Sequence, residues 1–219
     1  AEGAIDEPFV CVNGDVVVFE ADIQRMLERF DASGSAVMGA VTVPDPQRFG
    51  VIEESEGRLK KIHEKPEKPP TNLINAGVFV FNPGIFERIR ATPKSMRGEY
   101  EITDTLNALA AEKEVLVENI SEGWIDVGRP WDMLKANEIL MSRIQGKVEG
   151  TVEPGATLVG EVVVEKGARV RPGAYIEGPV YISEGCDIGP NCYIRPSTCL
   201  GPNVKVGASV EVKLSLIHI

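Results

Sequence analysis

The sequence predicts two architectures in tandem: an α/β layer built on a mixed sheet, then a left-handed parallel β-helix of hexapeptide repeats. Three observations carry this. Aliphatic residues recur at every sixth position from Val152 to Val212. Upstream of them, β-branched runs alternate with segments of helical periodicity, the pattern of an α/β layer. The composition, 43% hydrophobic and 26% charged over 219 residues, is that of a globular chain long enough for one large domain or one and a half ordinary ones.

Taken in order, the stretch FVCVNGDVVV (9–18) reads as a strand interrupted by Asn-Gly-Asp. Either Asn-Gly is a tight turn with Asp15 in water, or the strand delivers an acid to a ligand at its carboxyl end. Residues 20–32 carry helical spacing through Ile23, Met26, Leu27 and Phe30, closed by Ser33-Gly34. Strands are expected at 35–43, 50–53, 58–63, 73–81, 114–120 and 124–127. Helices are expected at 83–90, 103–112 and 131–143, with Thr103 as a cap and Pro130 near the last start. QGKVEGT (145–151) reads as a linker, which divides the chain into an α/β domain at 1–144, a β-helix at 152–213 and a tail at 214–219.

In the repeat, Val152, Leu158, Val164, Val170, Ile176, Ile182, Ile188, Ile194, Leu200, Val206 and Val212 keep a strict period of six. A small or β-branched residue stands two places before each after the first, from Ala156 to Val210. Each six-residue unit forms one flat side, and three sides close a coil of eighteen residues. The next inward position, 218, is a histidine, so the repeat is expected to break inside the final LSLIHI, which resembles translated sequencing-adapter sequence. The chain has no initiator Met and no signal peptide, and lacks the opening strand and Gly-rich phosphate loop of a doubly wound sheet. It reads as a fragment truncated at both ends.

A net charge of −10 argues against a nucleic-acid partner, which would need a basic stripe. No apolar run approaches the roughly 20 residues of a membrane span. Cys11, Cys186, Cys192 and Cys199 form no C-x-x-C pair and read as small packing residues in a reducing compartment, hence a cytoplasmic protein.

Three features could carry chemistry. Asp126 in GWIDVGRPWD (123–132) stands, like Asp15, at a strand end before a turn. Mg²⁺ is held by one or two carboxylates plus substrate phosphates. IHEKPEKPP (62–70) sets Glu64 beside Lys65, an acceptor for sugar hydroxyls next to a cation for phosphate. Arg195 and Lys213 lie eighteen residues apart, one full coil, and should stack on adjacent rungs about 4.8 Å apart. Each has a plain alternative: a helix-capping acid, a solvated charge pair, surface cations.

VNGD, RFGVIE, EKP, INAGVFVF, GEYEITD and WIDVG, in this order, resemble the nucleotidyltransferases that make nucleotide sugars from sugar 1-phosphates. The resemblance covers 8–143. It implies that Asp15 and Asp126 hold the catalytic Mg²⁺, and that Gly50, Glu64, Lys65 and Asn75 line the sugar-phosphate site, Lys65 holding the phosphate. The family's triphosphate-gripping loop would lie upstream of Ala1, so the fragment is expected to be inactive. IRPSTCLGPNVKVGASVEVK resembles the acetyltransferase half of bifunctional UDP-N-acetylglucosamine pyrophosphorylase/glucosamine-1-phosphate N-acetyltransferases of the archaeal type. That implies an amino-sugar phosphate on Arg195 and Lys213, acetyl-CoA as a co-substrate bound by later coils, and assembly as a homotrimer or a multiple of it. His63 and His218 match neither half. The implied reaction joins UTP or dTTP to N-acetylglucosamine 1-phosphate or glucose 1-phosphate and releases pyrophosphate. A mannose-1-phosphate guanylyltransferase and a non-catalytic regulatory subunit of the same fold are the alternatives.

Overall fold

Asn13-Gly14-Asp15 ends the first strand after four residues, and the chain leaves one sheet for another there. In the computed structural model, which describes residues 2–95 and 97–218, one unit runs through Asp126 and a second begins at Val127. The first contains β1 (Phe9–Val12), β2 (Val16–Val17), α1 (Glu20–Ser33), β3 (Ala36–Thr42), β4 (Gly50–Ser55) and β5 (Arg58–Glu64). It continues with β6 (Leu73–Phe81), α2 (Ile85–Ala91), α3 (Ile102–Glu112), β7 (Val115–Asn119) and β8 (Ile125–Asp126).

Among the described residues, a six-stranded sheet runs β1-β6-β3-β7-β5-β4, with a further contact between β6 and β4. Its one parallel pair is β3 with β7; the other neighbours are antiparallel. Alternation along the strands sorts the core into two layers. Val37, Val78 and Val80 pack with Met26 and Phe30 of α1, while Met38, Phe79 and Phe81 pack with Ile85, Leu106 and Leu109 of α2 and α3. A separate antiparallel ribbon joins β2 to β8.

Two expectations change in this unit. Thr103 does not cap α3: Glu101, in extended conformation, occupies the N-cap position, and Thr103 is buried inside the first turn. Cys11 is exposed and not a packing residue, because β1 bonds a neighbour on one side only. Cys186 and Cys192 are buried as expected, and Cys199 is half-buried.

The second unit opens with α4 (Asp132–Met141), which follows Pro130, and continues as three stacks of parallel strands. Val152 pairs with Val170, Leu158 with Ile176 and Val164 with Ile182, each a step of eighteen. Val164, Val170, Ile176, Ile182, Ile188, Ile194 and Leu200 are wholly inaccessible. Thr198, also inside, has its hydroxyl satisfied by the Arg195 carbonyl at 2.8 Å.

Both ends of the coil differ from the expected 152–213. Lys147–Val148, inside the expected linker, pairs with Val163–Val164 and starts the third stack. Leu216–Ile217, inside the expected tail, pairs with Cys199–Leu200 at a step of seventeen. Leu214 adopts a left-handed φ of +43° ahead of this rung, and Ile217 packs on the core in place of the exposed His218. Residue 219 lies outside the described residues. No helix among those described is long and apolar enough to cross a membrane.

Candidate active site

Three consecutive residues of β6, Asn75-Ala76-Gly77, hold the motif pieces together. The Asn13 N–H donates to the Gly77 carbonyl at 2.8 Å. The Trp124 indole donates to the Ala76 carbonyl at 2.8 Å. The Gly77 N–H donates to Asn75 Oδ1 at 2.9 Å. Gly77 has φ +71°, and a Cβ there would lie 2.6 Å from Asn13 Nδ2 and 3.2 Å from Val16 Cγ2. Only glycine fills this position without strain.

With Asn13 and Trp124 fixed, the two acids follow. Val16 pairs with Asp126 across the β2–β8 ribbon, so Asp15 stands one residue from the position opposite Asp126. Asp15 is exposed and Asp126 half-buried. Two carboxylates are hard oxygen donors of the kind Mg²⁺ takes, and Mg²⁺ ordinarily completes its shell with water and substrate phosphates. No group of three or more His, Cys, Asp or Glu that could hold a metal occurs among the described residues. The donor set therefore suits an ion shared with a phosphate substrate better than a closed structural site.

A second row lies along the edge of the sheet. Gly50 pairs with Glu64, and Val51 pairs with Ile74, so the next step of that register sets Gly50 opposite Asn75. A Cβ on Gly50 would come within 3.3 Å of Glu64 Oε2 and of the Thr103 methyl. Its absence leaves the carboxylate room. The Phe49 and Trp124 rings meet edge to face at 5.8 Å, which links this row to the Asp126 motif. The Lys65 N–H donates to the Phe49 carbonyl at 3.1 Å, and Lys65 Nζ lies 3.9 Å from Glu64 Oε1.

Arg97 Nη1 approaches Glu64 Oε1 at 3.6 Å and Glu101 Oε1 at 3.5 Å, and Ser95 Oγ donates to Glu101 at 2.9 Å. Burial, then the neighbouring Glu101 charge, pushes the Glu64 carboxyl above the usual range, against the pull of Lys65 and Arg97. The edge thus presents a partly desolvated acid between two cations, an arrangement able to accept hydroxyls and to bind an anion side by side.

The structure brings Asp15, Asp126, Gly50, Glu64, Lys65 and Asn75 onto elements tied to one short segment of β6. Arg195 and Lys213 belong to the second unit. Ile194 pairs with Val212, so the backbones of Arg195 and Lys213, one residue further on, stand on adjacent rungs. Arg195 already faces Glu211 at 3.0 Å and the Tyr193 ring at 5.8 Å, so part of the anion that a stacked pair requires is supplied by the protein. His63 bonds Glu53 at 2.6 Å. Sequence reasoning did not single out Asn13, Gly77, Trp124, Arg97 or Glu101. All but Arg97 lie inside motifs already quoted, yet nothing in the spacing signals that backbone carbonyls of β6 receive Asn13 and Trp124.

The family model for nucleotidyl transferases matches residues 2–143. The bifunctional protein GlmU of Methanocaldococcus jannaschii is 44% identical over 218 residues, 99% of this chain and 52% of that protein. The bifunctional sugar-1-phosphate nucleotidylyltransferase/acetyltransferase of Sulfurisphaera tokodaii is 43% identical over 185 residues, 84% of this chain and 46% of that protein. The chain thus spans about half the length of the curated relatives it matches. Among solved structures, the UTP-bound UGPase of Acinetobacter baumannii superposes with a TM-score of 0.53 at 25% identity, over 63% of this chain and 51% of that one. With its motif pieces assembled on β6 and more than half its length matched by the family model, the chain belongs to the nucleotidyl transferase family.

Proposed function

We propose that the first unit binds a sugar 1-phosphate beside the α-phosphate of UTP or dTTP and takes part in nucleotidyl transfer, yielding a nucleotide sugar and pyrophosphate. The observation that carries this is the shared attachment of the acid ribbon and the Glu64–Gly50–Asn75 row to Asn75-Ala76-Gly77. Glu64 accepts sugar hydroxyls, Gly50 leaves the space for them, and Asn75 stands in the same row. Lys65 meets the sugar phosphate as a point charge. Asp15 and Asp126 would hold Mg²⁺, which when bound supplies positive charge against the phosphates. The sugar-phosphate oxygen attacks the α-phosphorus in line, a new P–O bond forms and pyrophosphate leaves; positioning and electrostatics account for the rate, with no protein nucleophile.

The naming of the Sulfurisphaera tokodaii relative as a nucleotidylyltransferase/acetyltransferase supports a second, acetyl-transferring activity in the whole protein, with acetyl-CoA as co-substrate and an amino-sugar phosphate on Arg195 and Lys213. That phosphate would have to compete with Glu211 for Arg195. A cytoplasmic homotrimer, or a multiple of it, goes with this reading.

The test is calorimetric titration of the chain with glucose 1-phosphate and N-acetylglucosamine 1-phosphate, with and without Mg²⁺. Losing one charged hydrogen-bond partner through Glu64→Gln or Lys65→Ala should weaken binding about 10- to 100-fold. Asp126→Asn should remove the Mg²⁺ dependence. Affinity indifferent to Glu64→Gln and Lys65→Ala alike would refute the assignment of this edge.

A further inference from the structure

We propose that Asp22 is a positioning residue for Asp15 and Asp126, clamping the closed end of the ribbon that carries them. The proposal rests on the metal reading above. Asp22 is wholly inaccessible in the first turn of α1, and besides pairing with Arg25 of the same helix its carboxylate reaches two backbone N–H groups outside it. Its Oδ1 accepts the Ser121 N–H at 2.9 Å and its Oδ2 accepts the Glu122 N–H at 3.2 Å. The Arg25 guanidinium pairs with Asp22, donates to Ser121 Oγ at 2.7 Å and lies 3.6 Å from Glu118 Oε1.

Chain connectivity gives this cluster its meaning. β2 runs through Val18 and Phe19 directly into α1, so Asp22 sits just past the exit of β2. Ser121 and Glu122 sit just before the entry of β8. Val17 pairs with Ile125 at that end of the ribbon, and Asp15 lies beyond the other end, past the Val16–Asp126 pair. The carboxylate therefore spans the two strands where they come together, opposite Asp15.

A ribbon this short cannot hold its own register. Each strand contributes two residues, and an isolated two-stranded pair is marginal even when longer. A slip of one residue would turn Asp126 to the opposite face. The register must be imposed from outside, by the Trp124–Ala76 bond on one strand and by Asp22 across both. A buried charge is a costly fastener, and one that receives two successive backbone N–H groups fixes position and direction together.

The test compares amide exchange and Mn²⁺-induced line broadening, by NMR on the ¹⁵N-labelled chain, for the unsubstituted protein, Asp22→Ala and Asp22→Asn. Asp22→Ala should speed exchange of the Ser121 and Glu122 amides and of the ribbon roughly tenfold or more, while β3 and β6 keep their protection. Asp22→Asn retains one acceptor oxygen, should restore much of that protection, and covers the case in which the alanine variant fails to fold. In the unsubstituted protein Mn²⁺ should broaden Asp15 and Asp126 together; in Asp22→Ala the two should broaden separately and need roughly tenfold more Mn²⁺. Loss of protection spread evenly over β3, β6 and the ribbon, or joint broadening unchanged in Asp22→Ala, would overturn the clamp. Absence of broadening at both acids in the unsubstituted protein would overturn the metal reading and the link to the acids, with the exchange data still deciding whether Asp22 holds the ribbon.

Discussion

Gly77→Ala places a methyl group where the structure has none to spare. At φ +71° an L-residue costs about 1–2 kcal/mol relative to glycine. The new Cβ would also lie 2.6 Å from Asn13 Nδ2, 3.0 Å from Asn13 Cγ and 3.2 Å from Val16 Cγ2, and such overpacking costs about 1–3 kcal/mol. The expected loss is therefore about 2–5 kcal/mol, nearer the lower figure if the Asn13 side chain rotates away. Urea denaturation measures it. A double-mutant cycle with Asn13→Ala separates the contributions, because Asn13→Ala removes the clashing amide and keeps the backbone bond to Gly77. In that background only the φ cost and the Val16 contact remain, so the two substitutions should couple favourably by about 1 kcal/mol or more. The Asn13 backbone N–H should also lose exchange protection in Gly77→Ala, since displacing the Asn13 side chain and Val16 shifts the turn whose N–H bonds the Gly77 carbonyl. A loss below about 0.5 kcal/mol with Asn13 still protected would refute the view that β6 needs glycine to receive the Asn13–Asp15 turn.

Glu64 gives a pH test with a definite sign. Its folded carboxyl titrates above the ordinary 4.5, so the native state holds a proton longer than the unfolded chain, and stability falls as pH rises from 4.5 through the raised value. Glu64→Gln should therefore stabilise the unit near pH 7 and leave it nearly unchanged at pH 3.5, as read from denaturation midpoints; an equal effect at both would contradict it. The Tyr181 phenol is pushed up to about 12, first by its hydrogen bond to Glu165, then by burial and by the Glu165 charge. Ultraviolet titration should show a late tyrosinate component that Glu165→Gln moves to lower pH, and a titration curve identical in both proteins would contradict the bond. Truncation after Lys213 removes the Ser215 and Ile217 carbonyls that receive the Cys199 and Gly201 N–H groups at 2.9 and 2.7 Å. Those two amides should then exchange at least tenfold faster while Ile182 and Ser183 do not, as measured by hydrogen exchange.

The repeat was legible because each coil poses the same demand. An inward aliphatic at every sixth residue is a local requirement, and Val164 to Leu200 meet it without exception. The α/β unit was legible in its elements, since α1 shows its apolar stripe and β6 its β-branched run. Its assembly was not. The split of FVCVNGDVVV into β1, a turn and a strand of a different sheet depends on Asp126 arriving from 110 residues away, and nothing local encodes that pairing. Thr103 was misread as a cap because Ser/Thr before an apolar run is the usual signal, whereas Glu101 already stood extended at the N-cap position. The candidate site was legible as motif pieces, and the pieces were read as a set through their family likeness. The geometry that joins them is carried by backbone carbonyls of Ala76 and Gly77, which have no signature in residue type.

The seventeen-residue step onto Leu216–Ile217 has a consequence for how such coils add a rung. The Cys199 and Gly201 N–H groups offer fixed donors to whatever segment follows, and Ile217 satisfied the core although the counted position belonged to His218. Register in a stacked coil is thus templated by the exposed rung beneath, like a crystal face accepting the next layer, and is not counted from the start of the chain. An aliphatic within one residue of its slot suffices, provided some residue before it can take a left-handed turn, as Leu214 does. Growth of the coil is then error-tolerant at its tip and strict in its interior, where a misplaced residue would be locked between two neighbours.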